Sequence, residues 1–448
     1  MSVPLIGLVV AAVIVGAAVV VPGLTGWRVH VIAFAPLHAR WDPRIGPGTL
    51  PAILLAVVVF SFAPHAVTRL PWRSLVIVAF VTTVAWFAAL ALVDGAAGIG
   101  HILDTGYEYL RTARAVADRP FAATLDGYIP RIVGGPGKWP VHIAGHPPGA
   151  LLFYVTLVRL GFTTGLAAGW VTLIVAATAP VAVMLSMQTL GAESAARRAA
   201  PFLVAGPAAI WSAVSADAVF AAFGAWAVFV LSVAVTRRTR RGTAAFGVVS
   251  GVLFGWCVML SYGLPLLAVV AVAVICSRGS WRVIWWVAAG AMIVVVGFAL
   301  WGFSWWDAYP VLRERYRNGV AHKRPIAYWA WGNLAAFCCS AGLIVGAVIA
   351  QVIARVVGAG SRAGESLREL FRSPERSVPL LFGAAGITMI LLADLSGMSK
   401  AEVERIWLPF APWVLVGTAL LPDRWRRVGI GVQLVWALLV QHLLATGW

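Results

Sequence analysis

Long apolar runs separated by short polar stretches follow one another along almost the whole chain. A helix needs about 20 apolar residues to cross a bilayer, and most of these runs come close to that length. The pattern predicts an all-α, polytopic transmembrane helical bundle that forms a single integral membrane domain over residues 1–448, without a soluble domain. We expect about 13 spans, at residues 4–22, 50–68, 74–94, 164–187, 199–213, 216–236, 243–260, 263–277, 281–303, 327–354, 378–396, 404–421 and 427–446.

One apolar run, at residues 148–160, is too short to cross a bilayer. Cytoplasmic loops carry most Lys and Arg, so the basic run Arg237–Arg241 is placed inside and sets the side of every other loop. Both ends of the short run then lie outside, within an outer loop over residues 95–163. We predict a juxtamembrane helix in this loop, followed by a half-inserted helix that begins at Pro147 and Pro148, since the fixed φ of proline suits a first helical turn.

The same parity predicts three further outer stretches, at 23–49, 304–326 and 397–403, and places the basic residues between Arg355 and Arg376 inside.

Composition agrees with a membrane protein, because 61% of the residues are hydrophobic and only 11% are charged. The formal net charge of +17 does not indicate nucleic-acid binding, since the basic residues lie in loops between apolar runs. The four cysteines show no metal-ligand spacing and are expected to be small core residues. Abundant Ala, Val and Gly, with Arg in place of Lys, are typical of a GC-rich bacterium and predict the bacterial plasma (inner) membrane as the location.

Acidic residues are few, and three of them stand out on the predicted outer side. In "HILDTGYEYLRTARAVADRP", Asp104 is expected to begin a helix that ends before Pro120, with Glu108 on the same face four residues later. Asp217 stands where the span 216–236 enters from the outer side. These acids could be catalytic, or Asp104 and Asp217 could be helix N-caps and Glu108 a solvated first-turn residue.

Cations gather on the same predicted face. Arg405 and Lys400 lie at the outer mouth of the span 404–421, and His146 precedes the proline pair, four residues after His142. Arg405 could hold a phosphate or extend outward to the interface. The outer stretch 304–326 is basic against the positive-inside expectation, so its cations are candidates for binding an anion; they are Arg313, Arg315, Arg317, Lys323 and Arg324.

These motifs together resemble the GT-C superfamily of membrane glycosyltransferases, which use polyprenyl-phosphate-linked sugars. "DTGYEYLRTARAV" is similar to the acidic motif of the first large outer loop, "GHPPGALLFY" to the proline pair before a short apolar helix, and "DAVFAAF" to a later span headed by Asp. The resemblance covers residues 98–229, with a looser match in "EVERIWLPF".

The resemblance implies inverting transfer of a sugar, of mannose or arabinose type, to a cell-envelope glycolipid or glycan on the outer face. By position in the motifs, Asp104 matches the catalytic base, and Glu108 and Asp217 match secondary acidic residues near the acceptor. The departing phosphate would be neutralised by the cations, which are His146, Arg405, Lys400, Arg313, Arg317, Lys323 and Arg324.

Two other functions stay open from the sequence. A transporter or flippase of a lipid-linked saccharide would need paired broken helices and charges near span midpoints, which the sequence offers sparsely. A non-catalytic scaffold subunit would tolerate loss of Asp104. No metal ligand set is evident, although the acidic residues could hold a divalent cation that a monophosphate donor does not demand.

Overall fold

The computed structural model describes residues 2–134, 137–361 and 373–447. Within these ranges the chain is almost entirely helical, as the apolar pattern predicts. The helices of the N-terminal half are α1 Val3–Thr25, α2 Thr49–Arg69, α3 Trp72–Ala91, α4 Ala97–Asp104, α5 Leu110–Val116, α6 Phe121–Asp126, α7 Pro130–Val133, α8 Val141–Ala144, α9 Gly149–Arg159, α10 Gly165–Ala176, α11 Thr178–Thr189, α12 Glu193–Val204, α13 Ala209–Ser212 and α14 Ala216–Thr236.

The C-terminal half contains α15 Arg240–Leu260, α16 Ala268–Arg278, α17 Val283–Leu300, α18 Trp305–Asn318, α19 Val320–Lys323, α20 Ile326–Ser340, α21 Ile344–Ser361, α22 Pro374–Leu395, α23 Val403–Ile406, α24 Ala411–Val416 and α25 Asp423–Leu443. Short 3-10 turns follow α3, precede α16 and follow α24, at Leu92–Asp94, Leu264–Leu267 and Gly417–Leu420.

The all-α, multi-pass character predicted from the sequence is confirmed. Among the described residues, eight helices are long and apolar enough to cross a membrane, or nine if the bent pair α20 and α21 counts as one span. They do not reach the predicted thirteen. The eight are Val3–Thr25, Thr49–Arg69, Trp72–Asp94, Gly165–Thr189, Ala216–Thr236, Arg240–Leu260, Val283–Leu300 and Pro374–Leu395.

Several predicted single spans are broken helices. The run 327–354 consists of α20 and α21, which meet at 110° because the chain turns at Gly342, where φ is 94°. The run 404–421 is divided among α23, α24 and a 3-10 turn, and 199–213 between α12 and α13. Their side chains are largely buried, so neighbouring helices rather than lipid cover the breaks.

Close helix packing uses small residues. A Cβ atom added to Gly7 on α1 would lie 2.1 Å from the carbonyl oxygen of Gly346 on α21, so only glycine allows the two backbones to come this near.

A two-stranded ribbon ties the loop after α1 to the C-terminus. Arg40–Trp41 (β1) pairs antiparallel with Leu444–Ala445 (β2).

The predicted loop 95–163 is built from the six short helices α4 to α9. Its last helix, α9, follows Pro148 directly and has 11 residues, so the short helix expected after the proline pair is present. The predicted helix beginning at Asp104 is wrong, because Asp104 is the last residue of α4 and Thr105 is extended. Asp104 and Glu108 therefore share no helix face. The predicted inner segment 355–376 lies partly outside the described residues.

The four stretches predicted to share the outer face contact one another at one end of the bundle. Arg324 donates to the carbonyl oxygens of His30 and Lys400, and Arg315 donates to that of Ile132. These contacts join the segment around α18 and α19 to the loop after α1, to the loop between α22 and α23, and to α7 in the loop 95–163. A single polar region thus collects side chains that are hundreds of residues apart in sequence.

Candidate active site

A buried arginine holds two carboxylates at the centre of this region. Nη1 of Arg405 lies 2.5 Å from Oδ2 of Asp217 and 3.8 Å from Oε1 of Glu108. The side chains of Arg405 and Asp217 are each 3% exposed, and that of Glu108 is fully buried. Such burial costs free energy for each charge unless it is paired, so the three groups stabilise one another. We call Glu108, Asp217, Arg405 and the adjacent Glu402 and His142 the acid–arginine cluster.

Local structure fixes where each member points. Asp217 is in the first turn of α14, but the N-cap is Ser215, whose hydroxyl accepts from the backbone N–H of Ala218. The capping alternative for Asp217 is therefore wrong, and its carboxylate is available to Arg405. Glu108 lies in the non-helical segment between α4 and α5, so it is neither solvated nor in a first turn.

Ion pairs extend the cluster to a second arginine. Glu402 lies 3.2 Å from Arg324 through Oε1 and 3.9 Å from Arg405 through Oε2. Burial alone would raise the pKa of Glu402, but the two guanidinium groups outweigh it and hold that pKa below its ordinary value. Three carboxylates thus surround two arginines, which leaves the cluster one negative charge in excess when His142 is neutral.

One histidine, His142, belongs to the cluster, and a second, His146, lies beside it. Nδ1 of His142 lies 3.7 Å from Oε1 of Glu108. Nδ1 of His146 lies 2.7 Å from the hydroxyl of Tyr109 and 2.8 Å from the carbonyl oxygen of His142. Burial lowers the pKa of His146, which favours the neutral imidazole. A buried, neutral imidazole whose Nδ1 already contacts Tyr109 and the carbonyl oxygen of His142 gives little charge to a phosphate, the role predicted for His146.

Asp104 lies apart from the cluster. One carboxylate oxygen pairs with the guanidinium of Arg114, and the other accepts from the backbone N–H of Gly165 at 3.1 Å. Its side chain is 45% exposed. These contacts join the end of α4 to α5 and to the start of α10.

The predicted phosphate ligands divide into two groups. Arg313, Arg317 and Lys400 line a cavity of about 490 Å³ together with His322, and no acidic residue of the described part of the chain lines it. We call this the cationic cavity. Its other lining residues are Tyr309, Tyr316, Ala321, Ile326, Ser396, Gly397 and Met398.

The remaining cations predicted for phosphate do not line the cavity. Arg324 and Arg405 are held in the ion pairs described above. Arg315 donates to the carbonyl oxygens of Ile132 and Trp139. Lys323 is exposed.

One short segment, Ser396–Arg405, belongs to both sites. Its first part lines the cationic cavity, and its last residues, Glu402 and Arg405, are in the cluster. Ala401 and Glu402 both have positive φ, 68° and 61°, which costs free energy for residues with a Cβ and persists only where surrounding contacts hold it.

Asn333 on α20 supplies such contacts to the segment. Its amide nitrogen donates to the carbonyl oxygen of Ser399 at 2.8 Å, and its side-chain oxygen accepts from the N–H of Ala401 at 3.1 Å.

Sequence reasoning missed Tyr109, Tyr316 and Asn333. Tyr316 accepts from the N–H of Lys400 at 3.0 Å, and Tyr109 contacts His146. An amide within an otherwise apolar span was the signal for Asn333, because a polar group there needs a partner. The tyrosines carried no such signal, since aromatic residues are common at membrane boundaries.

Among the described residues, no group of three or more His, Cys, Asp or Glu side chains is arranged to hold a metal ion. Between Asp217 and Glu108, the guanidinium of Arg405 supplies the positive charge that a cation would otherwise give. Comparison with protein-family models and with curated proteins gives no match for this chain.

Proposed function

We propose that this protein is an integral membrane glycosyltransferase of GT-C type. It would move a sugar of mannose or arabinose type from a polyprenyl monophosphate to a glycolipid or glycan of the cell envelope, with inversion, on the outer face of a bacterial plasma membrane. The observation that carries the proposal is the pairing of two sites of opposite charge, the acid–arginine cluster and the cationic cavity, on the single segment Ser396–Arg405.

The two sites match the two demands of the reaction. An acceptor hydroxyl must lose its proton as it attacks the anomeric carbon, which a site with excess negative charge favours. The leaving lipid phosphate carries negative charge, which Arg313, Arg317 and Lys400 in the cationic cavity would offset. A cavity of about 490 Å³ is large enough for a phosphate with an attached sugar.

The polyprenyl chain would lie against apolar surface beside this end of the bundle. Leu160 at the end of α9 is 67% exposed, and Ile326 at the rim of the cationic cavity is 64% exposed. We propose that α9 is half-inserted into the bilayer and that these surfaces meet the lipid.

The catalytic carboxylate is better sought at Glu108 than at Asp104. Both oxygens of Asp104 are occupied by Arg114 and by the Gly165 amide. Both oxygens of Glu108 lack a hydrogen-bond donor in the described structure, and its Oε1 lies 3.7 Å from Nδ1 of His142 and 3.8 Å from Nη1 of Arg405. Such a carboxylate keeps its capacity to take part in proton transfer.

The test is sugar transfer in proteoliposomes. Purified protein is supplied with radiolabelled polyprenyl-phosphate mannose or arabinose and an envelope lipid extract. We expect wild type to move label into a new product, Glu108→Gln to lose about 100-fold or more in rate, and Asp104→Asn to stay within a few-fold of wild type. Label transfer that survives Glu108→Gln and disappears in Asp104→Asn would return the base to Asp104. Absence of transfer from both donors by a folded wild-type protein would contradict the proposal.

The bent helix pair α20 and α21 favours one alternative, a flippase of a lipid-linked saccharide. Transporters build their sites from broken helices, and this pair is bent by 110°, with the polar Asn333 buried in the middle of α20. Labelled lipid that crosses the bilayer while no donor is consumed would support that function.

A further inference from the structure

Solvent reaches only two titratable members of the acid–arginine cluster. Glu402 is 24% exposed and His142 is 12% exposed in their side chains, whereas Glu108 is fully buried and Asp217 is 3% exposed. A substrate hydroxyl that enters the cluster as it stands therefore meets Glu402 or His142 before any other proton acceptor.

Glu402 is poorly suited to accept a proton. Each of its carboxylate oxygens faces an arginine, Arg324 on one side and Arg405 on the other. Both positive charges favour the ionised carboxylate and weaken it as a base.

His142 and Glu108 stand in the order of a carboxylate–imidazole pair, with no hydrogen bond formed between Nδ1 and the carboxylate in this structure. Its Nδ1 is buried and faces Oε1 of Glu108 at 3.7 Å, so the exposed part of the side chain lies away from that nitrogen. Glu108 is in turn fixed by Arg405 at 3.8 Å. A buried carboxylate behind Nδ1 orients an imidazole and stabilises its protonated form, which leaves Nε2 as the base. Distances in a protein without substrate are commonly longer than in the reacting complex.

Further contacts hold the ring and backbone of His142. The exposed ring of Tyr107 lies 6.4 Å from the ring of His142, and the hydroxyl of Tyr109 donates to the carbonyl oxygen of His142 at 3.3 Å. His142 belongs to α8, which ends two residues before the proline pair that precedes α9.

We infer that His142 is the general base of this site and that Glu108 acts through it. This inference rests on the proposed glycosyl transfer. In the step, Nε2 of His142 takes the proton of the acceptor hydroxyl as the oxygen bonds to the anomeric carbon. The bond from that carbon to the phosphate oxygen breaks, and its electron pair leaves with the lipid phosphate. The proton then passes from the imidazolium to water, and Glu108 stays ionised throughout.

The experiment is a double-mutant cycle in the transfer assay, with His142→Ala, Glu108→Gln and the double variant. If Glu108 acts through His142, each single variant loses about 100-fold or more, and the double variant is no slower than His142→Ala within about twofold. If Glu108 were itself the base, adding Glu108→Gln to His142→Ala would cost at least a further tenfold, and that result overturns the inference.

Imidazole added to His142→Ala supplies a second readout that a purely structural role would not move. We expect added imidazole to raise the transfer rate of His142→Ala at least tenfold. As a control, His101→Ala, which removes an exposed histidine of α4, should transfer sugar at the wild-type rate. A folded His142→Ala protein that keeps its rate within twofold, or that imidazole does not restore, overturns the inference while the transferase function stands. Absence of transfer by wild type would instead contradict the proposed function itself, and the inference with it.

Discussion

Removal of the central arginine gives the sharpest test of the acid–arginine cluster. Arg405→Met keeps most of the side-chain volume and removes the charge, so Asp217 and Glu108 are left buried without the guanidinium that faces both. Breaking a buried ion pair by removing one partner costs about 3–5 kcal/mol, because the remaining charge is buried and uncompensated.

This cost can be expressed as a change in melting temperature. At an unfolding entropy of about 2.1 cal/mol/K per residue, the melting temperature of a chain of 448 residues falls by about 1 °C for each kcal/mol of unfolding free energy that is lost. We therefore expect Arg405→Met to melt about 3–5 °C below wild type in detergent, measured by tryptophan fluorescence. Adding Asp217→Asn should recover part of the loss, since it removes one of the two stranded charges.

Arg114→Met is the matched control, with the same substitution at an arginine that also pairs with an aspartate. Arg114 and Asp104 are 37% and 45% exposed, and exposed pairs contribute about 0–1 kcal/mol. A melting temperature of Arg405→Met no lower than that of Arg114→Met would refute the view that the cluster stabilises the fold by charge pairing.

Three further predictions address the surroundings of the cluster. In the cationic cavity, Arg317→Gln should lower kcat/KM for the donor about tenfold, because it removes a charge that offsets the bound and the leaving phosphate. The exposed control Arg238→Gln should leave kcat/KM unchanged. An unchanged kcat/KM in Arg317→Gln would remove Arg317 from the donor site. Asn333→Leu removes the amide contacts to Ser399 and Ala401, so it should lower the free energy of unfolding by about 1–3 kcal/mol in chemical unfolding. A variant as stable as wild type would show that the segment Ser396–Arg405 is held by other contacts. Burial raises the pKa of Glu404 to about 7, so the folded protein keeps a proton that the unfolded chain releases. The contribution of this group to the free energy of unfolding is therefore lost as pH rises through about 7. Glu404→Gln should remove this fall in stability between about pH 5 and 8, and an equal fall in the variant would contradict the assignment.

The helical, multi-pass character of the protein follows from the sequence because it depends on local pattern. An apolar run long enough to cross a bilayer must satisfy its backbone hydrogen bonds internally, and a helix does so without help from other segments. The short helix after the proline pair was predictable for the same reason, since proline at its start and its length of 11 residues are local features.

The number of spans does not follow from the local sequence pattern. Runs such as 327–354 and 404–421 are predominantly apolar, yet the chain bends inside them. Burial against neighbouring helices satisfies the apolar side chains at such breaks as well as lipid would, so hydropathy alone does not distinguish a bent buried segment from a straight span.

The grouping of the charged residues was decided only by tertiary structure. Glu108, Asp217 and Arg405 are all visible in the sequence as charges on the predicted outer side, but nothing local indicates that Arg405 contacts the other two, of which Asp217 alone is 188 residues away along the chain. The same holds for the separation of Asp104, four residues from Glu108, because the break after α4 turns the two carboxylates toward different partners. A buried charge is stabilised by whichever opposite charge lies close in space, and that distance is set by the packing of whole helices.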